Sequence, residues 1–167
     1  MKVWLAALDA HSGGGVSTHL NNLTKGLQDL GHQVKWITPG GEIVESLANY
    51  VLNINKQILN PYPNNIMVDV IETWGVRLEM NFRLSISHEK PDIIHCHDVI
   101  TFHRIKELAS FYNIPIVLTI HGYFAEEEVE NGNIERGSIE HKYWKKSEWF
   151  ALKEASYVLS VGEELNN

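Results

Sequence analysis

Three short stretches carry residue types that could do chemistry. In Ser12-Gly13-Gly14-Gly15-Val16-Ser17-Thr18-His19-Leu20 the glycines stand just before an apolar stripe of helical spacing. A bare backbone there lets N–H groups and the positive end of a helix dipole approach a phosphate. Without a ligand, the same glycines would serve a turn of positive φ. The stretch is neither a Walker loop nor a GxGxxG fingerprint, because no Gly-Lys-Ser/Thr follows and no glycine occurs three residues after Gly15. In His95-Cys96-His97-Asp98, alternation along a strand end puts His95 and His97 on one face and Cys96 on the other. Two histidines so spaced can ligate zinc, but no third ligand is identifiable. Hydrogen-bonded histidines on a cleft wall, with no metal, are the expectation, and Cys96 reads as a small buried residue. His121-Gly122-Tyr123-Phe124 follows the apolar run Val117 to Ile120. A histidine at such a strand mouth can donate to a sugar hydroxyl or a phosphate near neutral pH, or simply satisfy the strand end.

The elements that must position these groups alternate along the chain. Lys2 to Leu8 reads as a strand and Asp9 to Gly15 as a loop. Val16, Leu20, Leu23, Leu27 and Leu30 form the stripe of a helix that Gly31 can end in a left-handed cap. Gln33 to Thr38 returns to strand and Pro39-Gly40-Gly41 closes it. Glu42 to Asn60 fits a helix but also alternates, and a helix is the expectation. A loop at Asn60 to Asn65 precedes a short strand at Ile66 to Val70, and Ile71, Trp74, Leu78, Phe82 and Ile86 mark a helix ending before Pro91. Beyond it come a strand from Asp92 to Cys96, a helix from Val99 to Tyr112 and a strand from Pro115 to Ile120. An acidic loop at Glu126 to Glu130, read as a solvated lid, leads to a long helix from about Ile134 to Glu154. Its aromatics, Tyr143, Trp144, Trp149 and Phe150, read mostly as core. A last strand at Tyr157 to Val161 is followed by what reads as the first turn of another helix.

Successive βα units imply an α/β fold, a doubly wound parallel sheet of Rossmann-like type, whose ligand crevice lies beyond the carboxyl ends of the strands. His11 to Gly15, His95 to Asp98 and His121-Gly122 all fall at that edge. The 167 residues suffice for one domain with its own core, and the single cysteine excludes an intramolecular disulfide framework and points to a reducing cytoplasm. A net charge of −7 argues against nucleic acid as a partner. The apolar run Val3 to Leu8 is too short for a secretory or membrane-spanning segment.

Taken together, the chain resembles the N-terminal half of a GT-B glycosyltransferase of the retaining family four. The likeness rests on Gly14-Gly15-Val16 opening a helix that ends at Gly31-His32-Gln33-Val34, then on Pro91-Asp92-Ile93-Ile94-His95-Cys96-His97-Asp98. It continues in Ile114-Pro115-Ile116-Val117-Leu118-Thr119-Ile120-His121-Gly122 and in Glu148 through Ala155 to Val161-Gly162-Glu163-Glu164-Leu165. Where family members commonly carry Ala-Asp and Val-Ser-Glu, this chain has Ala155-Ser156 and Val161-Gly162-Glu163.

The resemblance implies transfer of a sugar, with retention, from a nucleoside diphosphate sugar to a carbohydrate or other hydroxyl acceptor, without a cofactor. His121 matches the family's cleft histidine and is the implied catalytic residue. Gly14, Gly15, His97, Asp98 and Gly122 are the implied substrate-binding residues. Residues 1–167 then form the acceptor-side domain, the C-terminal nucleotide-binding domain is missing from the chain, and the chain alone is expected to be inactive. The expected location is cytoplasmic, free or peripheral to the inner membrane face. Two other readings stand beside this one. A noncatalytic phospholigand-binding module would use the same glycine loop. A nicotinamide-dependent dehydrogenase domain would lack both GxGxxG and an acidic residue at the end of the second strand, where Thr38-Pro39-Gly40 stands.

Overall fold

The three inner strands of the sheet are largely apolar on both sides, so they are stable only where both faces are covered. In the computed structural model, which describes residues 1–8, 10, 13–40 and 66–161, that is where they lie. The strands β1 (Lys2–Ala6), β2 (Gln33–Ile37), β3 (Ile93–Cys96), β4 (Ile116–Ile120) and β5 (Tyr157–Ser160) form one parallel sheet in the order β2-β1-β3-β4-β5. Helices α1 (Gly15–Asp29), α2 (Ile66–His88), α3 (Val99–Phe111), α4 (Phe124–Glu130) and α5 (Ile139–Glu154) run between them in the chain. This is the Rossmann-like α/β arrangement that the alternation predicts.

Side-chain alternation divides the core into two layers. Trp4, Ala6, Ile94, Cys96 and Leu118 pack under Leu78 and Phe82 of α2, Phe102, Ile105 and Ala109 of α3, and Ala151 of α5. Val3, Leu5 and Ala7 face the other way, under Leu20 of α1 and the partly buried Val16, Leu23 and Leu27. Each fully buried Leu or Phe contributes about 2 kcal/mol by leaving water. Leu30, placed on the α1 stripe by spacing, is 75% exposed, because the helix has already ended. There Gly31, at φ 80°, donates its N–H to the Gln28 carbonyl and His32 donates to that of Leu27. That double closure is the left-handed stop expected of a glycine in this place.

Several expectations are corrected. Ile66 to Val70 is the start of α2, not a strand: the helix runs unbroken from Ile66 to His88. β-branched residues lower helix propensity only slightly, and tertiary packing overrides it. The acidic loop is helical, α4, and it is no freely solvated lid. Glu128 is buried, and Glu126 is paired with Arg136, with Lys145 at 3.0 Å and with His141 at 3.3 Å. Helix α5 begins at Ile139 instead of Ile134, since Gly132 and Gly137 both adopt positive φ and Ser138 caps the helix by accepting the His141 N–H. Of its aromatics Trp144 is buried, whereas Tyr143 and Trp149 are exposed, Trp149 by 62%. The expectations for Asp9, His11 and Ser12, for Gly41 to Asn65 and for the final helical turn lie outside the described residues. Among those described, no helix is long and apolar enough to cross a membrane.

Candidate active site

In the order β2-β1-β3-β4-β5 the chain reverses its direction of travel between β1 and β3, and at such a point the connections diverge and leave a crevice beyond the strand ends. Asp98 ties the floor of that crevice together. Its carboxylate accepts the Leu8 N–H at the end of β1 (2.9 Å), and it caps α3 by accepting the Thr101 N–H (2.6 Å) and hydroxyl (2.7 Å). Burial pushes its pKa up while these bonds draw it down. With three bonds made to the frame, Asp98 also stands in the crevice wall.

Three imidazoles meet above this floor, each from a different element. His97 follows β3, His121 follows β4, and His19 stands one turn into α1, where helical side chains lean back towards the N-terminus. The ring centres of His19 lie 5.4 Å from His97 and 5.2 Å from His121, and those of His97 and His121 are 5.8 Å apart. Nε2 of His121 is 3.5 Å from Nδ1 of His97. His97 is only 2% exposed, and its Nε2 has no hydrogen-bond partner among the described residues. His121 is half-buried and opens on the cavity. His95 stacks on His97 at 4.3 Å and shares a 2.7 Å hydrogen bond with the Thr119 hydroxyl. Burial, reinforced by the neighbouring imidazoles, lowers the pKa of His95 to about 4 and of His97 to about 2. It lowers that of His121 as well, with His19 as the second cause. His95, His97 and His121 are therefore neutral at pH 7.

His95 and His97, whose spacing alone could have suited a metal, stack on one another, and His95 is hydrogen-bonded to Thr119. Among the described residues, the group able to surround an ion is His19, His97 and His121, each offering a nitrogen within 4.8 Å of the others. His19 belongs to the glycine motif, which by itself points to backbone N–H groups and not to an imidazole. Its signal was its spacing, four residues after Gly15, which sets it on the face of α1 above the helix start.

A cavity of about 600 Å3 opens beside the imidazoles, lined by Leu8, Val16, Trp74, Phe124 and Glu127 together with His97, Asp98, Thr119, His121 and Gly122. Its walls are largely apolar, and Trp74, read from spacing as part of a packing stripe, is 46% exposed. Gly14 is the N-cap of α1 and offers no side-chain acceptor, and the first turn of the helix carries no acidic residue. Gly15 opens the helix, and no described residue stands within 4 Å of where its Cβ would fall. A Cβ on Gly122 would instead meet the carboxylate of Glu127, an exposed side chain that can swing aside. Helix α4 is held by Glu148 of α5, whose buried carboxylate accepts the Ala125 N–H at 3.1 Å. The glycines, His97, His121 and Gly122 thus lie along one edge of the sheet.

The sequence matches Glycosyltransferase Family 4 over residues 13–167. The chain belongs to this family. It is 31% identical over 111 residues to an uncharacterized glycosyltransferase of Methanocaldococcus jannaschii, a stretch covering 65% of this chain and 27% of that protein. It is 21% identical over 169 residues to glycogen synthase of Mycobacterium tuberculosis, covering 92% of this chain and 40% of that enzyme. The chain therefore spans less than half the length of these curated relatives. The Family 4 match takes in the start of α1, His97 and His121, so the whole imidazole group falls inside it.

Proposed function

We propose that the chain is the N-terminal, acceptor-side domain of an enzyme that moves a sugar from a nucleoside diphosphate sugar to a hydroxyl acceptor, with retention at the anomeric carbon. A second Rossmann-like domain of the same protein would hold the nucleotide, and the crevice between the two would be the site of reaction. The observation that carries this reading is the meeting of a half-buried His121 with the uncapped start of α1, through His19, at the β1/β3 switch point. Membership of Family 4 supports sugar transfer as the class of reaction.

Each side chain then has a task. His121, neutral and open to the cavity, donates a hydrogen bond to a hydroxyl of the reacting sugar and orients its ring. His97 backs it from below, and Asp98 fixes the loop between them. Negative charge grows on the departing diphosphate, and electrostatic stabilisation of that charge is the main catalytic term. The N–H groups around Gly14 and Gly15 supply part of it, since the positive end of a helix dipole favours an anion where no acidic side chain competes. Trp74 and Phe124 give the acceptor an aromatic wall on which the apolar face of a sugar ring can lie.

The test uses the complete protein, a panel of nucleotide sugars and product analysis by NMR to read the anomeric configuration. Turnover with retention is expected, and none from residues 1–167 alone. His121→Ala should lower kcat/KM at least about 100-fold while leaving the melting temperature nearly unchanged. Near-normal turnover in that variant would remove His121 from the reaction.

A further inference from the structure

The three imidazoles on the crevice wall have a second capacity that sugar transfer does not require. We infer that His19, His97 and His121 form a binding site for a zinc-class divalent ion, held by three ring nitrogens and open to the cavity at its fourth position. The inference stands on the side-chain geometry alone and holds or fails independently of the transfer reaction.

A tetrahedral ion with Zn–N bonds of about 2.05 Å sets its ligating nitrogens roughly 3.4 Å apart and the centres of their rings roughly 5.1 Å apart. The three ring-centre separations here are 5.2, 5.4 and 5.8 Å, and the nitrogens facing each other on His121 and His97 are 3.5 Å apart. Closing the triangle on an ion needs shifts of less than ~1 Å. The rings are supplied by α1 and by the ends of β3 and β4, so the fold sets their approach before any ion arrives. His95, stacked on His97 and bonded to Thr119, limits the movement of the deepest ring.

The donor set determines which ions fit. Three imidazoles without a carboxylate suit zinc, cobalt, nickel or copper and give magnesium or calcium no oxygen to bind.

The experiment is titration of the chain, freed of any polyhistidine tag, with zinc chloride by calorimetry and with cobalt(II) by visible absorption. One equivalent of zinc is expected to bind saturably. Its affinity should fall at least about tenfold in His19→Ala and in His121→Ala, and stay unchanged in His88→Ala, which alters an exposed histidine at the end of α2. Circular dichroism checks that the variants are folded. Cobalt should give the intense bands of a tetrahedral ion with the unaltered chain and lose them in His19→Ala. The inference is overturned by no saturable zinc binding, by a smaller loss in either site variant, or by an equal loss in His88→Ala. Should a variant lose its fold, the cobalt spectrum of the unaltered chain decides: tetrahedral bands support the site, and the weak spectrum of the hydrated ion overturns it.

Discussion

At the scale of single residues, the histidines of the crevice make the fold sensitive to acid. An unfolded histidine titrates near 6.5, whereas His95 and His97 titrate at about 4 and about 2 when folded. Between those values the unfolded chain takes up protons that the folded chain refuses. The stability tied to these groups is therefore fully present above pH 6.5 and is lost as the pH falls through about 4. At pH 5 each of the two costs on the order of 2 kcal/mol relative to pH 7. Glu126, held at about 2 chiefly by its bond to Lys145, acts in the same direction below pH 4.5. Asp98 and Glu148, raised by burial, act in the opposite direction, because the folded state holds their protons more tightly. The melting temperature should accordingly be lower at pH 5 than at pH 7, and NMR should find the rings of His95 and His97 still neutral at pH 5. A flat melting profile, or a charged His97 at that pH, would contradict the account.

At the scale of elements, Asp98 does more than its place in the motif suggests. It caps α3 and also straps β1 to β3 through the Leu8 N–H. Asp98→Ala removes a cap worth about 1 kcal/mol and leaves a partly buried N–H unpaired at about 1–2 kcal/mol more. A loss near 2–3 kcal/mol is thus expected in chemical denaturation, against little loss for exposed carboxylates such as Glu130. Asp98→Asn, which keeps an acceptor oxygen, should recover part of it. Stop signals written into single residues were legible: Gly31 ends α1 where spacing and backbone freedom say it must. The start of α5 was harder, because Ile134 belongs to the helical apolar pattern yet packs from an irregular turn beside Ala125 and Trp144. Periodicity reports which residues are buried, and burial does not require that the backbone be helical there.

At the scale of the molecule, the cavity exists only because parts of the chain far apart in sequence meet. Leu8 comes from the end of β1, Trp74 from α2, His121 from the end of β4 and Phe124 from α4. If Trp74 forms the acceptor wall, Trp74→Ala in the complete protein should raise the acceptor KM several-fold and leave kcat and the melting temperature almost unchanged. An unaltered KM would move the acceptor elsewhere. Since Trp74 is nearly half exposed, its removal leaves little void to destabilise the fold.

By itself the sequence determined the alternation of strands and helices, the covered parallel sheet, and the edge at which Gly14, Gly15, His97 and His121 fall, because hydrophobic periodicity and turn chemistry are local properties. Only the tertiary structure decided that His19, not His95, completes the imidazole group, that the carboxylate of Asp98 is committed to the frame, and that Trp74 faces the cavity. Those outcomes depend on which strand ends become neighbours and on which lone pairs are already bonded. Both are set by contacts between residues far apart in the chain, where spacing carries no signal.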